Sequence, residues 1–241
     1  MSEGIRLNKY LAERGICSRR EADRLIAEGR VLLNGSVAEV GARVEEQDEV
    51  SVDGKALGEA PRKVVLAYYK PAGLLVSEKD PHAERTVADE IRFPIRVTYA
   101  GRLDKDSEGL ILLTNDGDLI HAMMQGKHGH EKEYIVHLSK EPTAEAIEKL
   151  KKGVYLKDLE KKTKPCRIDR IGGKIVRMVL TEGLNRQIRR MWEQEGYRIR
   201  ALKRTRVVDV GLGTLEPGEY SELSESEKMT LYHAVGLEYR P

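Results

Sequence analysis

Cysteine is nearly absent: Cys17 and Cys166 are the only two in 241 residues and stand far apart. No disulfide framework is expected, which suits a reducing, cytoplasmic compartment. Long apolar runs are missing as well. No stretch approaches the ~20 apolar residues of a membrane span, and the opening MSEGIRLNKY has no apolar signal core. No membrane partner is expected. Net charge is only +2, which argues against a uniformly basic nucleic-acid binder. Familiar catalytic frames are also lacking. There is no Ser-His-Asp or Cys-His arrangement and no phosphate-cradling glycine loop. His128 and His130 lie in one polar loop, but no cysteine or carboxylate stands at a convincing ligand spacing, so metal binding is not expected.

What is present is a soluble composition, 40% hydrophobic and 34% charged. The charge is unevenly spread. Between Gly183 and Arg206 stand eight basic residues (Arg186, Arg189, Arg190, Arg198, Arg200, Lys203, Arg204, Arg206) against Glu193 and Glu195. One face should therefore be basic, and it is rich in arginine, which forks phosphate and stacks on bases.

Two units are expected, residues 1–60 and 61–241. In the first, Leu7, Tyr10 and Leu11 share a helical stripe that Gly15 can end. Ser18 and Glu21 form a capping box for a second helix with Ala22, Leu25 and Ile26 inward. Val31 to Leu33 reads as a strand running into Asn34-Gly35, a strong hairpin signal. The linker is placed in the looser run Lys55 to Lys63. Arg19, Arg20 and Arg24 sit on the second helix. With Arg30 they are either a phosphate grip or a solvated face balanced by Glu21, Asp23 and Glu28.

From Val64 the pattern turns to strands: Val64–Tyr69, a Lys-Pro-x-Gly turn at Lys70, then Leu74–Ser77. Residues 78–96 read as a loop with a short helix near Val87–Ile91. YAGRLDKDSEGLILLTNDGD, from Tyr99 to Asp118, sets Arg102 and Asp104 ahead of an apolar strand, Leu110–Leu113. Asp118 is the expected cap of the next helix, with Gly126 its stop. Glu131–Leu138 alternates as a strand and carries Tyr134. Tyr155 to Arg170 is expected to hold two short strands around Cys166. Thr181 to Asn185 leads into a helix whose first turn gathers Arg186, Arg189 and Arg190. A helix start is already an anion site, and arginines there are the wrong charge for stability. A second capping box, Ser224 with Glu227, opens a last helix. Taken alone, Asp104 reads first as a salt-bridged loop acid, Tyr134 as a core tyrosine with a satisfied hydroxyl, and Arg189 as a surface partner of Glu193. Asp106 and Glu108 are candidate second carboxylates only by nearness.

Two resemblances decide among these readings. RLNKYLAERGICSRREADRLIAEGRVLLNGSVAEVGARVEEQDEVSVDG resembles the S4 RNA-binding domain over nearly its whole length. GRLDKDSEGLILLTNDG, with KPAGLLVS before it and EKEYIV and GLNRQIRRM after it, resembles the RsuA/RluB/RluE/RluF family of bacterial pseudouridine synthases. Within that family, EKEYIV with GLNRQIRRM looks most like the RluF subgroup, acting on 23S rRNA. The resemblance implies an α+β chain: a small S4 domain, then a catalytic domain on a mixed, largely antiparallel sheet. It implies isomerisation of a flipped uridine to pseudouridine in rRNA, by a monomer without cofactor or metal. Alternatives are the same reaction on 16S rRNA or a tRNA, or a non-catalytic RNA-binding assembly factor. Carried over by motif, Asp104 is essential for breaking the N1–C1′ bond. Tyr134 stacks on the uracil and assists loss of the C5 proton. Arg189 pairs with Asp104. Arg102 holds the flipped state, and Leu184, Asn185, Arg186, Gln187 and Arg190 line the pocket or touch RNA. Arg19, Arg20 and Arg24 serve the S4 domain.

Overall fold

The computed structural model describes residues 4–77, 85–125 and 129–240. The N-terminal part contains β1 (Ile5–Arg6), α1 (Leu7–Glu13), α2 (Arg19–Ala27), β2 (Val31–Leu33), β3 (Ser36–Val37), β4 (Arg43–Val44), β5 (Val50–Val52) and β6 (Lys55–Ala56). Leu7 and Leu11 of α1 and Ala22, Leu25 and Ile26 of α2 close on Val31, Val44 and Val50, a core of its own. Each fully buried aliphatic contributes roughly 1.5–3 kcal/mol. Asn34 (φ 51°) and Gly35 (φ 78°) both take left-handed backbone at the β2–β3 hairpin, as the Asn-Gly pair predicts. Ser18 Oγ accepts from the Glu21 N–H at 3.2 Å. The Glu21 carboxylate meets Arg24. The expected linker starts too early: Asp53 (φ 50°) and Gly54 (φ 75°) turn the chain so that Lys55 pairs with Val52 in β6.

Past residue 57 the chain builds one large sheet. Its elements are β7 (Val65–Lys70), α3 (Val87–Glu90), β8 (Thr98–Tyr99), β9 (Glu108–Thr114), α4 (Gly117–Met124), β10 (Lys132–Leu138), α5 (Ala144–Lys151), β11 (Tyr155–Leu156), β12 (Lys161–Lys162), β13 (Arg167–Gly172), β14 (Ile175–Leu180), α6 (Gln187–Gln194), β15 (Ile199–Val207), β16 (Val210–Gly211), β17 (Tyr220–Glu222) and α7 (Glu225–Ala234). The strand order is β13-β14-β10-β15-β9-β7-β17, with β8 on β9 and β16 on β15. Every pairing is antiparallel except β15 with β9. The sheet is thus mixed and largely antiparallel.

β7 is buried throughout and β9 nearly so, because helices cover both faces. Leu66, Tyr68, Ile111 and Leu113 join α5 and α6 on one side. Val65, Ala67, Leu110 and Leu112 join α4 and α7 on the other. Trp192 fixes α6: it is fully buried, its Nε1 3.1 Å from Met178 Sδ, with Tyr197 edge-on at 5.4 Å.

Several local expectations are corrected. Asp116, not Asp118, caps α4, its Oδ1 accepting from Asp118 N–H at 2.8 Å and Leu119 N–H at 3.3 Å. Asp116 has the extended backbone a cap needs (φ −92°, ψ 105°), whereas Asp118 is already helical. The stop expected at Gly126 lies outside the described residues, as does His128. Tyr155 to Arg170 holds a β11–β12 hairpin before Cys166 and β13 after it. The helix near Val87 is present as α3, with a capping box from Thr86 and Asp89.

Candidate active site

The parallel seam between β9 and β15 is narrow, pairing only Lys203 with Glu108 and Arg204 with Gly109. Gly109 has φ +108°, and a Cβ there would lie 2.2 Å from the Arg204 carbonyl oxygen. Only glycine admits this approach. A bulge in β15 follows at once: Glu133 pairs with Arg206 but Tyr134 with Arg204, leaving Thr205 unpaired. The Thr205 hydroxyl donates to Glu133 Oε1 at 2.8 Å.

Arg204 is 3% exposed. Its Nε donates to the Leu110 carbonyl at 2.7 Å and its Nη1 to the Arg102 carbonyl at 3.3 Å. Lys70, fully buried at the end of β7, grips the same loop from beyond Asp104. Its Nζ donates to the carbonyls of Ser107 (2.6 Å), Pro71 (2.8 Å) and Lys105 (3.3 Å). The Lys-Pro-x-Gly turn adds Gly73 N–H to the Lys105 carbonyl at 2.7 Å. Burial pushes the Lys70 ammonium down to about 8, against the pull of Asp106, Asp104 and Glu108. Two buried cations therefore hold main-chain carbonyls on either side of Asp104.

Asp104 itself is half-buried, its side chain 32% exposed, with Arg186 Nη1 3.8 Å from its Oδ2. Arg186 sits at the N-cap of α6 in left-handed backbone (φ 50°, ψ 33°), a conformation that costs a non-glycine residue energy and marks functional sites. The expected Arg189–Asp104 pair is not the one formed. Arg189 Nε lies 3.3 Å from Asp106 Oδ2, and its Nη2 donates to the Asp106 carbonyl (3.0 Å) and Ser107 Oγ (3.2 Å). Arg186 also forks Asp106, both contacts at 3.2 Å. Burial opposes ionisation of Asp106, but the Arg186 hydrogen bonds and both guanidinium charges outweigh it and hold its carboxyl below the usual range. Asp106 is thus engaged as the brace between α6 and the Asp104 loop.

Asp104, Tyr134, Arg102, Asn185, Arg186 and Arg189 all line one cleft of about 800 Å³. Tyr134, 9% exposed, is both a core residue and part of that wall. Other expected RNA contacts fall elsewhere. Gln187 borders the cleft but is 4% exposed, its amide holding Leu184 N–H (3.0 Å) and Glu182 (2.7 Å); it shapes the loop. Arg190 turns away to Asp158 (2.5 Å) and the Asn185 carbonyl (3.1 Å). Arg24 is paired with Glu21 and Glu28 on the helix surface, whereas Arg19 and Arg20 are exposed with no partner among the described residues. His130 is not solvated: it is 7% exposed, with Nε2 3.2 Å from the Ala122 carbonyl.

Lys70, Lys132 and Arg204 were not singled out by pattern. Lys132 lines the cleft, and burial, with the Arg204 charge second, lowers its ammonium. The available signal for Lys70 was its place at the end of an apolar run. Arg204 had none, being one arginine in a basic stretch. Among the described residues no group of three or more His, Cys, Asp or Glu is placed to hold a metal, and no helix is long and apolar enough to cross a membrane.

Residues 64–194 match the RNA pseudouridylate synthase family. The chain belongs to that family. Residues 5–50 match the S4 domain. The dual-specificity RNA pseudouridine synthase RluF of Escherichia coli K12 is 42% identical over 96% of this chain and 79% of its own length. The ribosomal large subunit pseudouridine synthase B of Pseudomonas aeruginosa is 39% identical over 97% of this chain and 63% of its own. A crystal structure of a pseudouridylate synthase superposes with a TM-score of 0.70 at 29% identity, covering 95% of this chain and all of the other. As a pseudouridylate synthase, the chain has RNA as its partner, and its basic cleft fits that substrate.

Proposed function

We propose that this chain isomerises uridine to pseudouridine in ribosomal RNA, in the 23S rRNA of the large subunit, with residues 1–60 as the S4 unit and 61–241 carrying the chemistry. The observation that carries the reading is Asp104, a half-exposed carboxylate on a loop braced by two buried cations, in one cleft with Tyr134. The lining cations Arg102, Lys105, Lys132, Lys164, Arg186, Arg189 and Arg204 outnumber the carboxylates Asp104 and Glu182, so the cleft attracts a polyanion.

A duplexed or stacked uridine must leave its stack to reach Asp104. Arg102, exposed at the cleft wall, fills the vacated place or meets a phosphate. Asp104, kept beside Arg186, takes part in cleaving N1–C1′. The uracil turns in the cleft against Tyr134, C5 bonds to C1′, and the C5 proton is lost while N1 regains one. Arg189 acts through the Asp106 brace. The family's alternatives for Asp104, attack at C1′, addition to the base or removal of the 2′ proton, all require its carboxylate.

A second RNA substrate, such as a tRNA, is the other reading, favoured by the relative whose name states dual specificity. Asp104→Asn should abolish tritium release from C5-labelled uridine in rRNA while RNA binding stays nearly intact; substantial turnover in that variant would remove Asp104 from the chemistry. Pseudouridine mapping of rRNA and tRNA from cells lacking the protein separates the two substrates.

A further inference from the structure

The β11–β12 hairpin, residues 154–164, carries four lysines, of which Lys164 alone lines the cleft. Lys157, Lys161, Lys162 and Lys164 are exposed, and their side chains make no hydrogen bond or ion pair among the described residues. Lysines on short exposed strands ordinarily serve solubility and protect a sheet edge. Such a role asks nothing of the hairpin's position, yet this hairpin is held rigidly. Gly153 (φ +82°) lets the Thr163 backbone approach so closely that a Cβ would sit 2.3 Å from its carbonyl oxygen. Val154 N–H donates to Thr163 Oγ1 at 2.9 Å, and Thr163 N–H to the Val154 carbonyl at 2.9 Å. Leu156 is buried beneath.

The other anchors come from the site's own helix. Arg190 of α6 holds Asp158 at 2.5 Å, and Gln194 Nε2 donates to the Tyr155 carbonyl at 2.8 Å. Lys164 N–H donates to Glu182 Oε1 at 2.8 Å, and the same Glu182 accepts from Gln187 at the start of α6. Asp158 is thereby neutralised, leaving Glu160 as the hairpin's uncommitted acid. Tyr155 stands 54% exposed beside the lysines, and Lys164 lines the cleft. The helix that aims Arg186 and Arg189 at the Asp104 loop thus also sets the distance from that loop to a row of free ammonium groups.

We infer that the β11–β12 hairpin is an RNA-docking arm: its lysines neutralise backbone phosphates of the strand leading out of the cleft, and Tyr155 offers a base a stacking face. The inference rests on the proposed RNA substrate and deepens it. Lysine contacts of this kind position an RNA without reading its bases, which suits an arm beside a site where the base itself is inspected.

The test uses the full chain and a protein-free 23S rRNA transcript, with dissociation constants measured across 50–300 mM KCl. Two triple variants are compared: K157Q/K161Q/K162Q and K157R/K161R/K162R. Each lysine released from phosphate should remove roughly 0.7–0.9 from the slope of log affinity against log salt, so the Gln variant should be less steep by about 2 and bind at least ~10-fold more weakly at low salt. The Arg variant should keep the wild-type slope. The substituted side chains are exposed, so both variants should melt with the wild type. An unchanged slope and affinity in the Gln variant would overturn the inference. So would unchanged affinity for bare RNA with conversion lost only on ribosomal particles, which would assign the arm to a protein partner. Because the readout is affinity, it stands apart from the function itself. A wild-type protein that releases no tritium from any RNA would defeat the proposed activity, while the salt slope still judges the arm.

Discussion

Of the described glycines, Gly109 leaves the least room for an added Cβ, so Gly109→Ala is a demanding change. The new Cβ would meet Arg204 at its carbonyl oxygen (2.2 Å), amide nitrogen (2.7 Å) and carbonyl carbon (3.0 Å). All three are backbone atoms, so no side chain can swing aside. An ordinary contact of 3.4 Å or more needs at least ~1.2 Å more room than the shortest of these. The strands must part by that amount at a seam of two residue pairs, enough to break its hydrogen bonds, each worth ~1 kcal/mol net. The φ of +108° adds roughly 1–3 kcal/mol of strain for alanine. Together these put the loss near 4 kcal/mol, a large part of the stability of an ordinary domain. The displacement also reaches the chemistry, because Arg204 carries the Arg102 carbonyl two residues before Asp104. Urea unfolding should show the loss in midpoint. Single-turnover tritium release at 15 °C, scaled to the folded fraction, should fall at least ~100-fold, the equivalent of ~2.7 kcal/mol. Gly117→Ala is the control, since nothing lies within 4 Å of its added Cβ; it should be close to neutral. If Gly109→Ala unfolds within ~0.5 kcal/mol of the wild type, the β9–β15 seam tolerates a side chain and glycine is not required there.

Lys70→Met removes a buried ammonium from three carbonyls, of which the Lys105 oxygen keeps the Gly73 N–H. The stranded acceptors outweigh the relief of unburying a charge, and stability should drop by about 2 kcal/mol at pH 7. Burial pushes Lys70 down to about 8 in the folded chain from its ordinary 10.5, so between those values the unfolded state binds more protons and the wild type gains stability as pH rises. The gap to Lys70→Met should therefore widen by ~1 kcal/mol per pH unit above pH 8; urea midpoints at pH 7 and 9 that move in parallel would count against a buried, charged Lys70. Deleting residues 1–60 removes Arg19 and Arg20 together with the Lys9–Asp118 contact at 2.8 Å. It should weaken RNA binding and flatten its salt dependence more than it slows single-turnover chemistry, and an unchanged slope would argue against RNA contact by this unit.

Much of the architecture was legible because it is local. Asn34-Gly35 takes the left-handed backbone that this pair favours in two-residue hairpins, and Ser224 with Glu227 closes its capping box as spelled. Alternation marked β10, and Ile188, Met191 and Trp192 stand at helical spacing on the buried face of α6. Near misses were also local. Asp118 was the expected cap of α4, and backbone conformation gave that place to Asp116 two residues earlier. β17 is a three-residue edge strand (Tyr220–Glu222) whose existence depends on β7 being available to pair, so no periodicity announces it.

Asp104, Tyr134 and an arginine-rich helix start were singled out through the family their motifs resemble, since taken alone each has an ordinary structural reading. Which arginine meets which carboxylate was not legible. Arg186 and Arg189 are three apart on one helix, and only the placement of α6 against the Asp104 loop gives Asp106 to both and leaves Arg186 facing Asp104. The same holds for the two buried cations. Lys70 and Arg204 look like any lysine at a strand end and any arginine in a basic run. They become the supports of the loop because a glycine at 109 lets β9 and β15 meet in parallel, a pairing between residues 95 apart in sequence. Local chemistry is written residue by residue; the partner across a sheet is decided only when the sheet closes.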